Sequence, residues 1–232
     1  MNPHRVGILG GTFDPPHAGH LFLAQDAREH LALDLVLLVP AAASPLKGRE
    51  AVAPAAARLE LARAAAAEFP WLEVEDFEVR RGGLSFSFDT ATHLRRRFGP
   101  EAELFWLVGA DQAAQLHRWH RAEELAKLVR FAVAGRRAAS LQGEWGMGNG
   151  EWGSSGGCAA VDGGITAGGD AVGAAGGGAG SGSVSPVVVW LPERRVDISS
   201  TEVRERARRG LSLELFLPAG VRKIIQQRNL YS

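Results

Sequence analysis

Cysteine is almost missing from this chain, and what is missing sets the first bounds. With Cys158 as the one cysteine, neither an internal disulfide framework nor a cysteine-cluster zinc site can be built, which fits a reducing compartment. There is no excess of either charge: 26 Lys+Arg face 26 Asp+Glu. Nothing global therefore points to nucleic acid or an acidic membrane surface, and any anion site must be local. No apolar run approaches the length needed to span a bilayer, and the N-terminus moves into a strand pattern without a charged-then-apolar leader. The expectation is a soluble, cytoplasmic protein with no nucleic-acid or membrane partner; the oligomeric state is not legible. At 232 residues the chain can bury a full core in one domain, 1–232.

Strand-like and helix-like segments alternate. Val6, Ile8 and Leu9 read as a short buried strand, and Leu21, Ala24, Ala27 and Leu31 recur at helical spacing from about Ala18. A second apolar run, Leu35 to Val39, ends at Pro40, and a helix follows from about Pro54 to Phe69. Val74 to Val79 reads as a strand, the stretch from Phe88 to Phe98 as a helix and Leu104 to Val108 as a central strand. Helices over Asp111–Trp119 and Ala122–Leu128 precede strands at Phe131–Ala134 and Pro186–Leu191. This alternation predicts an α/β fold with a parallel sheet covered on both faces, without fixing strand order. Between about Ser140 and Ser185 the composition changes abruptly, with roughly seventeen of the 29 glycines and two GEWG repeats carrying Trp145 and Trp152. Residues 140–185 are expected to be a disordered insertion following a strand's C-terminal end.

Two segments carry the chemistry. In GILGGTFDPPHAGH, Gly7 to His20, a strand runs into the glycine turn Gly10–Gly11 and then into a helix start. There His17 and His20, at i and i+3, can face one anion together with unpaired N–H groups and the positive helix end. In ISSTEVRERARRG, Ile198 to Gly210, Ser199 and Glu202 have capping-box spacing. Glu202–Arg206 and Glu205–Arg209 have the spacing of i,i+4 ion pairs. Arg204 is harder to explain structurally, because a cation near the first turn opposes the helix dipole unless an anion lies beside it. Ser200, Thr201 and Arg204 together offer hydroxyls, amides and a guanidinium to phosphate oxygens.

GTFDPPHAGH resembles the HxGH signature of the nucleotidylyltransferase superfamily; the tetrapeptide alone is shared with class I aminoacyl-tRNA synthetases, whereas the ten-residue form is far more specific. ISSTEVR resembles the triphosphate-binding ISSTxxR element of adenylyltransferases in that superfamily. LFWLVGADQAAQLHRW (104–119), RRGGLSFSFDT and the terminal VRKIIQQRNLY are similar in particular to nicotinate-mononucleotide adenylyltransferases. The resemblance implies a Rossmann-like, doubly wound parallel sheet with a C-terminal helical segment, and AMP transfer from ATP to nicotinate mononucleotide with Mg²⁺ bridging the phosphates and no dedicated metal ligands. It assigns His17, His20, Lys47 and Arg204 to catalysis. Gly10, Gly11, Thr12, Phe13, Gly19, Ser199, Ser200 and Thr201 would meet the nucleotide. Ser85, Phe86 and Ser87 would receive the nicotinate carboxylate on backbone N–H groups, Gly109 and Asp111 would lie near the ribose, and Trp119 would stack on the pyridine ring. Phe86 and Ser87 stand where the family usually has tyrosine and threonine, and Leu46 precedes Lys47 where a histidine is common. The alternatives are a nicotinamide-mononucleotide adenylyltransferase, more distantly a phosphopantetheine adenylyltransferase, and a nucleotide-binding module with weakened catalysis.

Overall fold

The computed structural model describes residues 3–45, 51–135, 187–194 and 196–232. Leu46, Lys47 and the glycine-rich segment 140–185, with its two tryptophans, lie outside the described residues. Six strands, β1 (Arg5–Gly11), β2 (Leu35–Pro40), β3 (Leu72–Val74), β4 (Glu103–Gly109), β5 (Arg130–Ala134) and β6 (Val188–Trp190), form one sheet in the order β3-β2-β1-β4-β5-β6. Every pairing is parallel, with Ile8 opposite Leu37 on one side and Trp106 on the other. The strands count outward from β1 in both directions, so the topological switch lies between β1 and β4. In open α/β sheets ligands bind outside the strands' carboxyl ends at that switch.

Alternation along the central strands divides the core. Leu104, Trp106 and Val108 face a cluster with Val6, Ile8, Leu94 and Leu125. These last two come from α4 (Ser87–Phe98) and α6 (Ala122–Leu128). Phe105 and Leu107 face the opposite cluster with Leu9, Ala24, Ala27 and Leu38, covered by α1 (Ala18–His30). Both faces are dry, which is why the strands read as near-continuous apolar runs. A third cluster joins α2 (Ala55–Ala66) to α7 (Ser200–Arg208) and α8 (Ala219–Gln227) through Leu61, Val203, Val221, Ile225 and Tyr231. The C-terminal helices thus pack on α2.

Two expected elements come out differently. The strand expected over Val74–Val79 stops at Val74, and α3 (Phe77–Arg81) follows. The buried Glu75 carboxylate accepts the N–H of Phe77 at 3.0 Å, bending the chain out of the sheet, and Arg80 pairs with Asp76 one turn back. Val74, Phe77 and Val79 gave the segment a strand-like composition that this local hydrogen bond overrides. The helix expected over Asp111–Trp119 is α5 (Ala110–Ala113) followed by a 3₁₀ turn (Leu116–Arg118), with Trp119 beyond it in extended conformation. Neither expected i,i+4 pair forms in α7: Arg206 donates to the Ser212 carbonyl and Glu205 pairs with Arg208.

One polar side chain organises the loops at the sheet's carboxyl edge. Arg58, on the apolar face of α2 and 1 % exposed, donates to the carbonyls of Thr12 at 2.7 Å, Ala41 at 2.6 Å, Ala42 at 3.0 Å and Ala53 at 3.1 Å. It thereby ties the segments after β1 and β2 together. Replacing it strands four buried acceptors, so Arg58→Leu is expected to lower unfolding stability by about 3 kcal/mol or more. Urea denaturation of the two proteins measures this directly.

Candidate active site

The glycines ending β1 lead into a loop whose far end is the start of α1. His17 is the N-cap of that helix, in extended conformation, and His20 is its third residue. The His17 N–H donates to His20 Nδ1 at 3.2 Å, and the two ring centroids lie 3.8 Å apart. Phe13 is buried and meets the His20 ring edge-on at 4.9 Å, supporting it from behind. The spacing read from sequence therefore does bring both imidazoles together. His17 is 7 % exposed, and burial pushes its pKa down to about 4, so at neutral pH it is an uncharged hydrogen-bonding group. Its Nδ1 is buried with no hydrogen-bond partner among the described residues. Gly19 makes this packing possible, because a Cβ there would sit 3.0 Å from His17 Nδ1 and 3.6 Å from the Ile198 carbonyl.

That Ile198 contact marks where the second motif arrives. Ser199 caps α7 by accepting the Glu202 N–H at 3.2 Å. Ser200 Oγ donates to the Pro15 carbonyl at 3.0 Å, and Arg204 Nη1 donates to the Asp14 carbonyl at 2.7 Å. Arg204 Nη2 reaches Thr201 Oγ1 at 3.2 Å. The two motifs, separated by most of the chain, are thus bonded to each other. The anion that a cation near the first turn seemed to need is met in part by protein: Arg204 Nη1 lies 3.8 Å from the Asp14 carboxylate. Two of the five guanidinium donors are used in the bonds to Asp14 and Thr201.

Asp14 itself is 4 % exposed. Its carboxylate accepts the N–H of Val52 at 2.7 Å, the N–H of Ala53 at 3.1 Å and the Tyr231 hydroxyl at 2.8 Å. Burial, then the hydrogen bond to Asp14, push the Tyr231 phenol well above its ordinary range. Asp14, Arg58 and Tyr231 were not among the residues singled out from sequence. A signal existed for two of them: an aspartate inside the histidine motif, and an arginine on the apolar stripe of a helix with Leu61 and Ala62.

On the other side of the β1 loop, at the switch point, lies a cavity of about 500 Å³. Its walls include Gly10, Gly11, Thr12, Ser85, Phe86, Ser87, Asp111 and Trp119, all expected at the site. Gly10 lets the Trp106 indole lie against β1, since a Cβ there would be 3.3 Å from that ring. Trp119 is half-buried, edge-on to Trp106 and Phe131, and its Nε1 has no hydrogen-bond partner among the described residues. It is a core-anchored aromatic that also forms cavity wall. Phe86 is the N-cap of α4 and has no side-chain cap, so the N–H groups of Ser87 and Phe88 have no intrahelical acceptor, while that of Asp89 donates to the Phe86 carbonyl at 3.1 Å. Its ring lies 4.4 Å from that of His120, a cavity residue not anticipated from sequence; Arg118, Gln112, Gln115 and Glu78 are others. Gly109 ends β4 beside Asp111. Gly19 lines not this cavity but a smaller one, about 190 Å³, with Asp26, Gly135, Leu191 and Arg194.

Residues 8–206 match the Cytidylyltransferase-like family. A protein of Gemmatimonas aurantiaca named "Probable nicotinate-nucleotide adenylyltransferase" is 40% identical over 98% of this chain and 92% of its own length. A protein of the same name from Exiguobacterium sibiricum is 34% identical over 98% of this chain and 99% of its own. The chain belongs to the nicotinate-nucleotide adenylyltransferase family. The fold is also that of the Plasmodium falciparum nicotinic acid mononucleotide adenylyltransferase solved in complex with NaAD, at a TM-score of 0.63 and 13% identity, covering 98% of this chain and 97% of that one. The family uses ATP and generally a divalent metal. No described helix is long and apolar enough to cross a membrane.

The donor set bears on that metal. Among the described residues no group of three or more His, Cys, Asp or Glu could hold a metal ion. Of the cavity carboxylates, Glu78 is occupied by Thr90 and Asp111 is exposed. Asp111 is therefore the cavity carboxylate available to an ion that enters with phosphate oxygens.

The buried imidazole has a measurable consequence. With a folded pKa of about 4 against an unfolded value near ~6.5, the unfolded state binds the extra proton between those limits. His17 therefore contributes stability that is complete above about pH 6.5 and is lost as pH falls toward about 4. Its ring should titrate near pH 4 by NMR, and the wild-type minus His17→Gln difference in Tm should shrink across that window.

Proposed function

We propose that this chain transfers the AMP of ATP to nicotinate mononucleotide, forming deamido-NAD and pyrophosphate. The observation that carries the reading is the direct bonding of α7 to the β1–α1 loop through Arg204, Ser200, Asp14 and Pro15, beside the cavity bounded by Ser85–Ser87, Asp111 and Trp119. One loop thus has a phosphate-binding set at its end and an acceptor-sized cavity along its flank. The whole chain, 1–232, acts as one nucleotidylyltransferase domain, with 140–185 an insertion within it.

Adenylyl transfer needs no protein nucleophile. A phosphate oxygen of the acceptor attacks the α-phosphorus of ATP, and the bond to the bridging oxygen of pyrophosphate breaks. The protein's work is alignment and stabilisation of the charge that builds on the α-phosphate oxygens. His17 and His20 donate hydrogen bonds to those oxygens, with the positive end of α1 behind them. A neutral His17 does so without a charged ring having to be buried before substrate arrives. Arg204, with Ser199, Ser200 and Thr201 at the start of α7, holds the β and γ phosphates together with Lys47. When bound with the nucleotide, Mg²⁺ would offset the negative charge of the phosphates, and Asp111, the exposed carboxylate of the cavity, would be the side chain available to it.

On the acceptor side, the uncapped N–H groups of α4 suit a carboxylate. Trp119 supplies an aromatic face for a pyridine ring. Gly10, Gly11 and Thr12 leave the ribose phosphate room to approach the first motif. Backbone donors survive the Phe86 and Ser87 departures from the family pattern, because no side chain there has to make the bond.

Pyrophosphate release with ATP and Mg²⁺ should be fastest with nicotinate mononucleotide when nicotinamide mononucleotide and phosphopantetheine are assayed in parallel. Release with the nicotinamide form alone would transfer the assignment to that acceptor, and nucleotide binding without turnover on any of them would point to the non-catalytic module. His20→Ala should lower kcat by about 10²-fold or more with an unchanged circular dichroism spectrum. A near-normal rate in that variant would remove His20 from the chemistry.

A further inference from the structure

A buried carboxyl lies in the acceptor wall with no part in the chemistry above. Glu78, on the one-turn helix α3, is 5 % exposed and lines the cavity with Ser85, Phe86 and Ser87. Its Oε1 accepts the Thr90 hydroxyl at 2.6 Å. Thr90 ends the first turn of α4, whose N-cap is Phe86, so the carboxyl holds that turn to α3.

We propose that Glu78 is a positioning residue for acceptor recognition: by tying Thr90 to α3 it holds the N–H groups at the start of α4 in the cavity wall. The inference rests on reading that wall as the seat of the acceptor's carboxylate.

Few polar contacts could take over this role. Upstream, Ser85 is anchored to the loop after β2, its N–H donating to the Ala43 carbonyl at 2.9 Å and its Oγ accepting the Ala42 N–H at 2.9 Å. The first turn of α4 is packed through Phe88, which lies against the core and under the Arg121 guanidinium. The fallback acceptor for the Thr90 hydroxyl is the Phe86 carbonyl at 3.5 Å, the outer limit of a hydrogen bond. The second tie from α3, Arg81 to Asp89 at 2.6 Å, joins side chains about a third exposed, where ion pairs contribute little. Among the described residues, the Glu78–Thr90 bond is therefore the buried polar tie from α3 to this turn. A charged acidic group set directly against an anionic acceptor would repel it; here the Thr90 hydroxyl donates to the carboxyl, and burial favours the neutral form.

The test is steady-state kinetics of the full chain with each substrate varied in turn. Glu78→Ala should raise KM for nicotinate mononucleotide roughly tenfold, while kcat and KM for ATP stay within about twofold and the preference for the acid over the amide acceptor falls. Glu78→Gln keeps an oxygen that can accept the Thr90 hydroxyl and should recover most of the affinity. Thr90→Val should show the same split at reduced size, and it carries the test if Glu78→Ala does not fold. An unchanged KM for nicotinate mononucleotide in Glu78→Ala and Thr90→Val, or equal losses for ATP and acceptor, overturns the inference. Failure of the wild-type chain to use nicotinate mononucleotide overturns instead the acceptor reading beneath it.

Discussion

The buried carboxylate of Asp14 is the constraint on which both halves of the site depend. It lies in the loop between the glycine turn and the paired histidines, and it accepts hydrogen bonds from the 52–53 backbone and from Tyr231 near the chain's end. Its own carbonyl accepts Arg204. A carboxylate withdrawn from water persists only when its oxygens are satisfied. Here the groups that satisfy it come from three distant parts of the chain. Folding Asp14 into place therefore brings the start of α7 and the α1 histidines together.

Arg58 does for the opposite side of the same loop what Asp14 does within it. Its four carbonyl bonds tie the loop after β1 to that after β2, and the latter is hydrogen-bonded to Ser85. Polar contacts thus link Tyr231, Asp14 and the 52–53 backbone, and Arg58 extends them to the loop that meets Ser85. The histidine loop and the cavity wall at Ser85 are built on one network. In-line transfer needs the attacking and leaving oxygens aligned closely, and rigid coupling of the two subsites meets that need.

Much of this was legible beforehand because it is local. The apolar runs of β1, β2 and β4 report burial on both faces, and the His17–His20 spacing reports a helix start. What failed was also local in cause. The Val74–Val79 segment looks like a strand until Glu75 captures the Phe77 N–H, and the Glu202–Arg206 pairing looks sound until Arg206 finds the Ser212 carbonyl. In both cases a side-chain hydrogen bond to the backbone, which periodicity cannot register, decided the outcome. Asp14, Arg58 and Glu78 went unnoticed because each acts by satisfying groups far away in sequence.

The sequence by itself determined most of the elements and the two motifs for which a phosphate role is proposed, since helix starts, glycine turns and apolar runs are written over a few neighbouring residues. Only the tertiary structure decided that the strand order reverses between β1 and β4, that Arg204 meets the Asp14 carbonyl, and that Trp119 leaves its helix to form cavity wall. Those outcomes depend on which buried polar groups find partners across the fold, and such pairing has no short-range signature.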